Sequence, residues 1–467
     1  MTSFADGSTR ALDALDAATL GVLLTPGSLG FDKVRNGWNA RFDRAPDAIL
    51  RCRGTADVIE AVRFARTHEV PLAVRGGGHD FAGHSTVEGG LLVDLSPMQG
   101  VRVDPASRRA WVEPGVLTGT FDHEAQAFGL ASTGGTVSEV GVAGYTLGGG
   151  TGYLARRHGL AVDNFTGADV VLASGELVRA DRSNHPELIW ALRGGGGNFG
   201  IVTSFERTLH PVGPEVMAGQ VIHPFDAARE GLQFYREFMA SASDDLTLYP
   251  FFLKLPPIEP IPSEQHGRPG FLLVAAHIGS LEAAREELAP VLEFGNPMLS
   301  AVDVLPYLAA QRMFDAGMPP GRRRYSKAQY FDEISDSAID TLLQWTGSLQ
   351  GPFSSAYFEP MGGAINRVPS HETAFPHRGH AFSFHLVADW TDPTEDEQMC
   401  AWARDFHDAM EAHAAGGVYM NLMSEDETAR HPEAWQANHE KLRQVKARYD
   451  PDNLFRGNQN LRQSVGE

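Results

Sequence analysis

Hydrophobic positions recur at helical spacing in some stretches of the chain and form short strand-like runs in others. Residues 55–68 carry apolar side chains at helical spacing behind Thr55, a favoured helix-capping residue, which predicts a helix. The apolar runs 48–53 and 72–74 on either side predict strands. The chain therefore opens with a β-α-β unit whose second strand runs directly into the Arg75-Gly-Gly-Gly-His79 stretch.

Three glycine-dense tracts, at 76–78, 133–152 and 194–197, divide the region before residue 211. Around them the same patterns predict strands at 90–95, 108–112, 169–173, 177–180 and 201–209, and helices at 117–128 and before Leu192. Between 216 and about 413 the glycine clusters largely cease. There, strands predicted at 246–253, 271–277 and 381–390 alternate with helices at 281–293 and 335–349.

The pattern changes once more near Gly416. Tyr419-Met-Asn421 predicts a strand, and 433–449 predicts a helix. We therefore predict an α+β protein built from three segments, 1–212, 213–415 and 416–467, of which the middle one forms a separate sheet-and-helix domain.

Composition and charge narrow the class of protein. With 467 residues, 42% hydrophobic and 21% charged, the chain is long enough for two or three domains with a large core. A formal net charge of −20 argues against nucleic acid or an anionic membrane as a partner. The basic run Arg322-Arg323-Arg324 with Lys327 predicts a solvated loop, the alternative being that these residues or Tyr325 border a substrate pocket.

Cysteine and histidine usage excludes two kinds of site. Cys52 and Cys400 are the only cysteines, so a disulfide framework and a cysteine-rich metal site are excluded, and a reducing, cytoplasmic setting is expected. No metal site is predicted, because His407 and His413, placed on one helix, do not share a face. The stretch 1–24 has neither the charge nor the apolar core of a signal peptide, and no stretch is apolar for long enough to span a bilayer.

The loop from Arg75 to Asp80 is the first candidate binding site. Glycine tolerates the backbone conformations in which successive N–H groups converge on an anion, so Gly76, Gly77 and Gly78 predict a phosphate cradle with His79 as a nucleophile at its edge. The alternative is a structural loop beside a structural histidine. An unperturbed imidazole has a pKa of about 6.5, so its neutral, nucleophilic form is available near neutral pH.

The second glycine tract contains Gly150-Thr-Gly152-Tyr-Leu-Ala, a formal match to the dinucleotide fingerprint, with Asp169 beyond it. That fingerprint requires a clean buried strand before it, and glycines interrupt 141–149, so NAD is not favoured. Three separated glycine clusters instead fit a long ligand that needs close backbone approach at several points, such as FAD.

Seven motifs in one order resemble the berberine bridge enzyme-like family of FAD-linked oxidases, which share the fold of vanillyl-alcohol oxidase. They are Arg75-Gly-Gly-Gly-His79, Gly90 to Ser96, Val140-Gly-Val-Ala-Gly144, Gly148 to Gly152, Arg193 to Gly200, Tyr419-Met-Asn421 and Tyr449 to Arg456. The resemblance implies a PCMH-type FAD-binding domain at 1–212, to which 416–467 returns. It also implies that 213–415 is a substrate domain, an antiparallel sheet covered by helices.

The resemblance further implies how FAD is held. In the family the histidine after the glycines bonds to the 8α-methyl of the isoalloxazine, which corresponds to His79. Val137 occupies the position where many members carry a second, cysteinyl link, so a single link is expected, as in bacterial members. Tyr145 replaces a histidine that plant members place near the flavin pyrimidine edge. The residues expected to contact FAD are Arg75, Gly76, Gly77, Gly78, His79, Asp80, Gly83, His84, Thr136, Val137, Gly141, Gly144, Tyr145, Gly152, Ile201, Asn421 and Asn458.

Substrate chemistry is expected from the opposite side of the flavin. The family's Tyr-x-Asn segment points its tyrosine, here Tyr419, at the flavin face, where it acts as a base or only orients the substrate. Ser355, Tyr357 and Glu359 alternate along one strand face, and Tyr249 lies on another predicted strand. Tyr249, Tyr357 and Glu359 are therefore predicted to line the substrate pocket. Glu359 is either a buried general base with a raised pKa or a surface residue, and Tyr145 is a third positioning candidate.

The resemblance implies an oxidase of a small organic, secondary-metabolite substrate, with hydride transfer to flavin N5 and O2 as acceptor. The alternative within the family is an oxygenase of a polyketide or aromatic tailoring pathway that acts through a flavin–oxygen species. A third alternative is a noncatalytic binding protein that retained the fold. Absence of flavin absorbance in the purified protein would exclude both enzyme hypotheses.

Overall fold

The computed structural model describes residues 8–462, with side chains from residue 10 onward. The ends of the first and last predicted segments, 1–7 and 463–467, lie outside the described residues, as does the start of the stretch that was predicted not to be a signal peptide. The described residues form three main sheets with helices on their faces.

The first sheet follows the predicted β-α-β opening. Its order is β1-β2-β4-β3, with β4 parallel to both β2 and β3. These strands are β1 (Val22–Leu24), β2 (Ala48–Arg51), β3 (Leu72–Arg75) and β4 (Leu91–Asp94), and the helices are α1 (Ser8–Ala18), α2 (Phe31–Arg35) and α3 (Thr55–Thr67). Helix α3 buries Val58, Ala61, Val62 and Ala65, the apolar positions from which it was predicted. The glycine loop thus leaves the end of a buried parallel strand.

The second sheet is antiparallel, in the order β5-β6-β10-β8-β9. Its strands are β5 (Val101–Asp104), β6 (Arg109–Val112), β8 (Phe165–Val171), β9 (Leu177–Asp181) and β10 (Ile201–Thr208), while β7 (Leu130–Ala131) pairs with β11 (His210–Pro211). The helices of this part are α4 (Thr118–Gln126), α5 (Val142–Leu147), α6 (Ala155–His158) and α7 (Pro186–Leu192). The glycine-rich turns between these elements face the third sheet.

The third sheet has seven antiparallel strands in the order β15-β12-β14-β13-β17-β18-β16. They are β12 (Glu215–Pro224), β13 (Leu246–Lys254), β14 (Pro269–His277), β15 (Leu299–Pro306), β16 (Arg323–Phe331), β17 (Ser355–Pro360) and β18 (Phe382–Trp390). One face packs on helices in the largest hydrophobic core. The helices of this segment are α8 (Ala228–Met239), α9 (Leu281–Glu293), α10 (Tyr307–Ala310), α11 (Asp336–Thr346), α12 (Gly363–Arg367) and α13 (Asp396–Glu411). The uncovered face is therefore available to the glycine-rich half.

The last segment packs against the second sheet. Met420, Trp435 and Leu442 share a hydrophobic core with β8, β10 and α7. The Lys446 ammonium is completely buried and donates to the Asp450 carboxylate (2.6 Å) and to the backbone carbonyls of Asn198 and Phe455 (2.8 Å each). This cation therefore joins the tail to the third glycine tract. The two-domain α+β class predicted from the sequence is confirmed.

Four local predictions are wrong. The run Arg322–Arg324 is no solvated loop, because Arg322 and Arg324 are buried and pair with Asp389 of β18 (3.1 and 2.8 Å), and the half-buried Arg323 pairs with Asp396. Tyr419 lies in extended chain that leads into a 3₁₀ turn, not a strand. The predicted helix 433–449 is split into α14 (His431–Trp435) and α15 (His439–Tyr449). His413 lies beyond the end of α13 and so is not on the helix of His407.

Two kinds of feature are absent from the described residues. No helix there is both long and apolar enough to cross a membrane. Within 8–462 no three or more His, Cys, Asp or Glu side chains are grouped so that they could hold a metal ion.

Candidate active site

A cavity of about 370 Å³ separates the glycine-rich half of the molecule from the open face of the third sheet. Its wall on one side comes from the loop after β3, from α5 and the turns around it, and from the start of β10. Its other wall comes from β13, β17 and β18, and the tail closes it through Tyr419 to Leu422 and Phe455 to Gln459. Residues far apart in sequence thus meet at one site.

Two glycine loops touch each other backbone to backbone along the cavity. A Cβ atom at Gly77 would lie 2.5 Å from the Gly141 Cα, and one at Gly76 would lie 2.8 Å from the Pro114 carbonyl oxygen. Gly144 and Gly197 also line the cavity, but a Cβ at either would meet no protein atom within 4 Å. The first two glycines are required by the packing of the protein, whereas the other two leave open space beside the cavity.

Most residues predicted to contact the cofactor line this cavity. Those that do are Gly76, Gly77, Gly78, His79, Asp80, His84, Thr136, Val137, Gly141, Gly144, Tyr145, Ile201, Asn421 and Asn458. Arg75, Gly83 and Gly152 do not. The Arg75 guanidinium donates to the carbonyls of Ser85 (2.9 Å) and Arg35 (2.9 Å) behind the loop. Gly83 and Gly152 must be glycine because a Cβ atom would clash with Phe42 and with the Gly134 carbonyl, respectively. These three shape the loops rather than the cavity surface.

His79 follows the glycines and presents its imidazole to the cavity. Its Nε2 is buried and has no hydrogen-bond partner among the described residues. Burial, with a smaller contribution from the positive charge of Arg324, lowers the pKa of His79 to about 3. The imidazole is therefore neutral at physiological pH, with a nitrogen lone pair available for bonding.

Tyr419 and Asn421 come together although their segment is not a strand. The Tyr419 hydroxyl oxygen accepts hydrogen bonds from the Gly150 N–H (3.0 Å) and from Asn421 Nδ2 (3.0 Å). Burial and the nearby Glu359 raise the pKa of the Tyr419 phenol well above its usual value. Because both lone pairs are occupied and the proton is held firmly, Tyr419 is arranged to donate a hydrogen bond.

Glu359 is buried, with 4% of its surface exposed, in the wall opposite His79. Its Oε1 accepts hydrogen bonds from Thr151 Oγ1 (2.8 Å) and the Tyr249 hydroxyl (3.1 Å). Burial raises the pKa of Glu359 to about 7, and the two hydrogen bonds limit the rise. The alternative that Glu359 is a surface residue is therefore wrong. The carboxyl can gain or lose a proton near neutral pH.

A raised carboxyl pKa makes a prediction for stability. The folded protein holds the Glu359 proton more tightly than the unfolded chain does, whose glutamates titrate at about 4.3. The free energy of unfolding therefore loses a contribution as pH rises from about 4 to about 7. Glu359→Gln should remove this loss, on the order of 3 kcal/mol. We expect the variant to melt above wild type at pH 8 but not at pH 4; equal differences at both pH values would contradict the buried titration.

His385 is the main functional candidate that the sequence analysis missed. Its Nδ1 lies 2.8 Å from the Tyr357 hydroxyl, and its Nε2 lies 2.8 Å from Ser383 Oγ and 3.7 Å from Glu359 Oε2. Burial lowers its pKa to about 3, so the ring is neutral. In the antiparallel pair β17–β18, His385 lies opposite Tyr357, and Ser383 lies opposite Glu359. Polar side chains of the two strands are therefore next to each other. Alternation within 381–390 could have suggested this face, but the pairing register is not visible in the sequence.

The remaining lining residues are mostly aromatic or apolar. Phe251 stacks on Tyr357 (ring centroids 4.8 Å apart) and on Phe314 (5.4 Å). Tyr145 also lines the cavity, but its hydroxyl donates to the Thr151 carbonyl (2.5 Å), and Asn421 Nδ2 donates to its backbone carbonyl (3.0 Å). Tyr145 thus fixes the turn that carries Thr151. Cys52 and Cys400 are buried, and neither lines the cavity.

Comparisons with known proteins agree with this arrangement. The family model described as an FAD binding domain matches residues 46–181, and the model described as berberine and berberine like matches residues 418–462. YvdP of Bacillus subtilis (strain 168), an uncharacterized FAD-linked oxidoreductase, is 30% identical over 448 residues, which are 94% of this chain and 98% of that protein. These matches include both the glycine loop and the tail that closes the cavity.

Two further relatives act on a named small molecule. The (R)-6-hydroxynicotine oxidase of Paenarthrobacter nicotinovorans is 28% identical over 465 residues and covers 94% of this chain and 96% of its own. The crystal structure of 6-hydroxy-D-nicotine oxidase from Arthrobacter nicotinovorans has a TM-score of 0.85 at 26% identity and covers 95% of this chain and 98% of its own. The chain is therefore an FAD-linked oxidoreductase and belongs to the berberine bridge enzyme-like family.

Proposed function

We propose that this protein carries FAD bonded covalently to His79 and oxidises a small organic substrate between the flavin and the third sheet. The observation that carries the proposal is one cavity with glycine loops and a neutral histidine on one wall, Glu359 on the other, and Tyr419 in the tail that closes it. The residues present fit the cofactor. Gly144 and Gly197 leave open space along the cavity, and the buried His79 Nε2 has no partner among the described residues.

The cofactor would be held by the chain as follows. Backbone around Gly76–Gly78 and Gly141 faces the cavity without side chains, which suits the pyrophosphate, and His79 fixes the isoalloxazine. Val137 lines the cavity where a second, cysteinyl link would need a thiol, so His79 is the single tether in the proposal. When bound, FAD supplies the acceptor for the two electrons of the substrate, and O2 is the proposed final acceptor.

The protein's own groups handle the proton. We assign Glu359 as the general base that takes a hydroxyl or phenol proton from the substrate, because its pKa of about 7 matches that task near neutral pH. Tyr419 orients the substrate through its hydroxyl and does not act as the base, since its phenol holds its proton too firmly. Tyr249 and Thr151 hold the Glu359 carboxyl in place.

The aromatic lining favours a compact, flat substrate. Tyr249, Phe251, Phe314 and Tyr357 form an apolar wall in which the Glu359 carboxyl is the one acidic group. Such a wall binds an aromatic ring by stacking and places the Glu359 carboxyl where it can contact a hydroxyl group of the substrate. The relative named for 6-hydroxynicotine acts on a molecule of this class, a hydroxylated aromatic.

The covalent link is tested by its resistance to denaturation. Purified wild-type protein should be yellow, and its flavin should stay with the polypeptide after acid precipitation and denaturing electrophoresis. His79→Ala should release all flavin into the supernatant, because in the proposal His79 forms the single covalent link to the flavin. His68→Ala, on a different part of the first domain, is the matched control and should keep the link. Free flavin from wild-type protein would rule out the tether, and a colourless protein would overturn the whole proposal.

A further inference from the structure

We propose that Trp38 and Arg324 position His79 for its attachment to FAD. This inference rests on the proposed covalent link. Neither residue lines the cavity: Trp38 precedes the glycine loop, and Arg324 lies on β16 of the other domain. The three side chains form a stack of planar groups that begins at the cavity and ends in the core.

The geometry of the stack is close. The Trp38 ring lies on the His79 ring, with centroids 3.6 Å apart and an angle of 26° between the planes. The central carbon of the Arg324 guanidinium lies 3.7 Å from the Trp38 ring centroid. Two groups this close to one centroid cannot share a face, so the indole is held between the imidazole and the cation. Phe81 packs edge-on against Trp38 at 5.2 Å and closes a third side.

Trp38 is itself held at both ends. Its indole Nε1–H donates to the Met318 carbonyl (3.0 Å), and its backbone N–H donates to the Gly78 carbonyl (3.3 Å). The neighbouring Asn39 donates from Nδ2 to the carbonyls of Phe81 and Arg324 (2.9 Å each). The backbone around Trp38 is thus fixed to the glycine loop, and the indole cannot turn without breaking its Nε1–H bond to Met318, in the chain that precedes β16.

Arg324 completes the support and adds a charge. It is fully buried and donates from Nε to Asp389 (2.8 Å) and from Nη2 to the Pro319 carbonyl (2.6 Å). One face of its guanidinium lies against the Trp38 indole. Its positive charge also disfavours an imidazolium at His79, in addition to the larger effect of burial. The stack thus fixes the orientation of the imidazole and keeps it neutral.

Both properties are those that attachment needs. In that reaction a bond forms between an imidazole nitrogen and the 8α carbon, while one C–H bond of the methyl group and the imidazole N–H bond break. The two protons and two electrons released reduce O2, the oxidant, to hydrogen peroxide. The imidazole contributes its lone pair, and a ring held in the reactive orientation avoids the loss of rate that misalignment by about 1 Å can cause, about 10²-fold.

The test measures attachment rather than turnover. Wild type, Trp38→Phe, Trp38→Leu, Trp38→Ala and Arg324→Met would be produced with limiting riboflavin and then incubated with FAD in air. Samples taken over time are acid-precipitated, and the flavin retained on the polypeptide is measured by absorbance and by the mass of the intact chain. Total bound FAD is measured before precipitation. Trp345→Ala is the matched control, because Trp345 stacks on Phe406 (5.4 Å, 7°) and neither residue lines the cavity.

We expect Trp38→Ala, Trp38→Leu and Arg324→Met to bind FAD but to attach it at least about tenfold more slowly than wild type. Trp38→Phe keeps a flat ring beside His79 and should attach FAD near the wild-type rate, as should Trp345→Ala. Attachment by Trp38→Leu and Arg324→Met as fast as by wild type would overturn the inference. If Trp38→Ala loses FAD altogether, the Leu and Phe variants decide, since equal rates for those two overturn it as well.

Failure of this inference is distinguishable from failure of the proposed function. If wild-type protein binds FAD that acid releases completely, the link to His79 is wrong and the stack has no attachment to assist. If the wild-type protein is covalently loaded and the stack variants load equally fast, His79 remains the tether, and Trp38 and Arg324 have only a packing role.

Discussion

Replacing Glu359 by Gln should slow substrate oxidation by about 10²- to 10⁴-fold, the usual contribution of a general base. The amide has nearly the same shape as the carboxyl and can still accept hydrogen bonds from Thr151 and Tyr249, so the flavin should stay bound. Anaerobic flavin reduction, followed by the loss of its absorbance after mixing with substrate, measures this step directly. A reduction rate within about threefold of wild type would remove Glu359 from the base role.

The pH dependence gives a second signature. Wild-type reduction should speed up as pH rises through about 7, because the base acts in its ionised form, and Glu359→Gln should lose this rise. Tyr419→Phe should reduce the rate while retaining the rise, since Tyr419 orients and does not titrate in this range. Glu333→Gln, an exposed carboxyl outside the cavity, should change neither. The same pH profile in wild type and Glu359→Gln would point to another titrating group.

Gly77→Ala should abolish FAD loading and destabilise the protein. The new methyl group would lie 2.5 Å from the Gly141 Cα and 2.6 Å from the Gly141 nitrogen, and backbone cannot move aside as a flexible side chain can. The two loops must separate, at a cost of about 1–3 kcal/mol or more, and the cradle opens. Thermal melting of the protein and the flavin-to-protein absorbance ratio after purification measure the two effects.

Two alanine controls separate the packing effect from the cofactor effect. Gly54→Ala adds a methyl group outside the cavity where no atom lies within 4 Å, and it should affect neither quantity. Gly144→Ala adds a methyl group that meets no protein atom but borders the cavity. Its melting temperature should therefore equal that of wild type, while its FAD content falls. Normal flavin content in both Gly77→Ala and Gly144→Ala would mean that FAD does not bind along these loops.

Helices and strands were predicted correctly where the sequence carries a local signal, such as apolar spacing or a capping residue. The helix expected at 281–293 is found as Leu281–Glu293, where the Ser280 hydroxyl caps the Ala283 N–H. The basic run at 322–324 predicts a solvated loop, but its partners lie far along the chain: Asp389 is 65 residues from Arg324, and Asp396 is 73 residues from Arg323. A buried ion pair between distant strands leaves no local signal.

The site divides in the same way. The glycine loops, His79 and the tail motif were recognised because each is a continuous motif. His385 and Trp38 were missed because their roles depend on contacts across domains or across a sheet register. Tyr419 and Asn421 contact each other at the start of a 3₁₀ turn rather than along the predicted strand, and Gly148 leaves room for Asn421, whose Oδ1 would lie 1.8 Å from a Cβ at that position.

The buried Lys446 joint has a consequence for how the protein matures. The glycine loop and His79 leave the ribosome early, but Gln459 and the other tail residues that wall the cavity, held to the third glycine tract through Lys446, are among the last described residues made. A nascent chain therefore contains His79 long before it contains the residues that close the cavity. A protein shortened before Lys446 would keep His79 but lack the residues that close the cavity, and we expect it to accumulate without flavin.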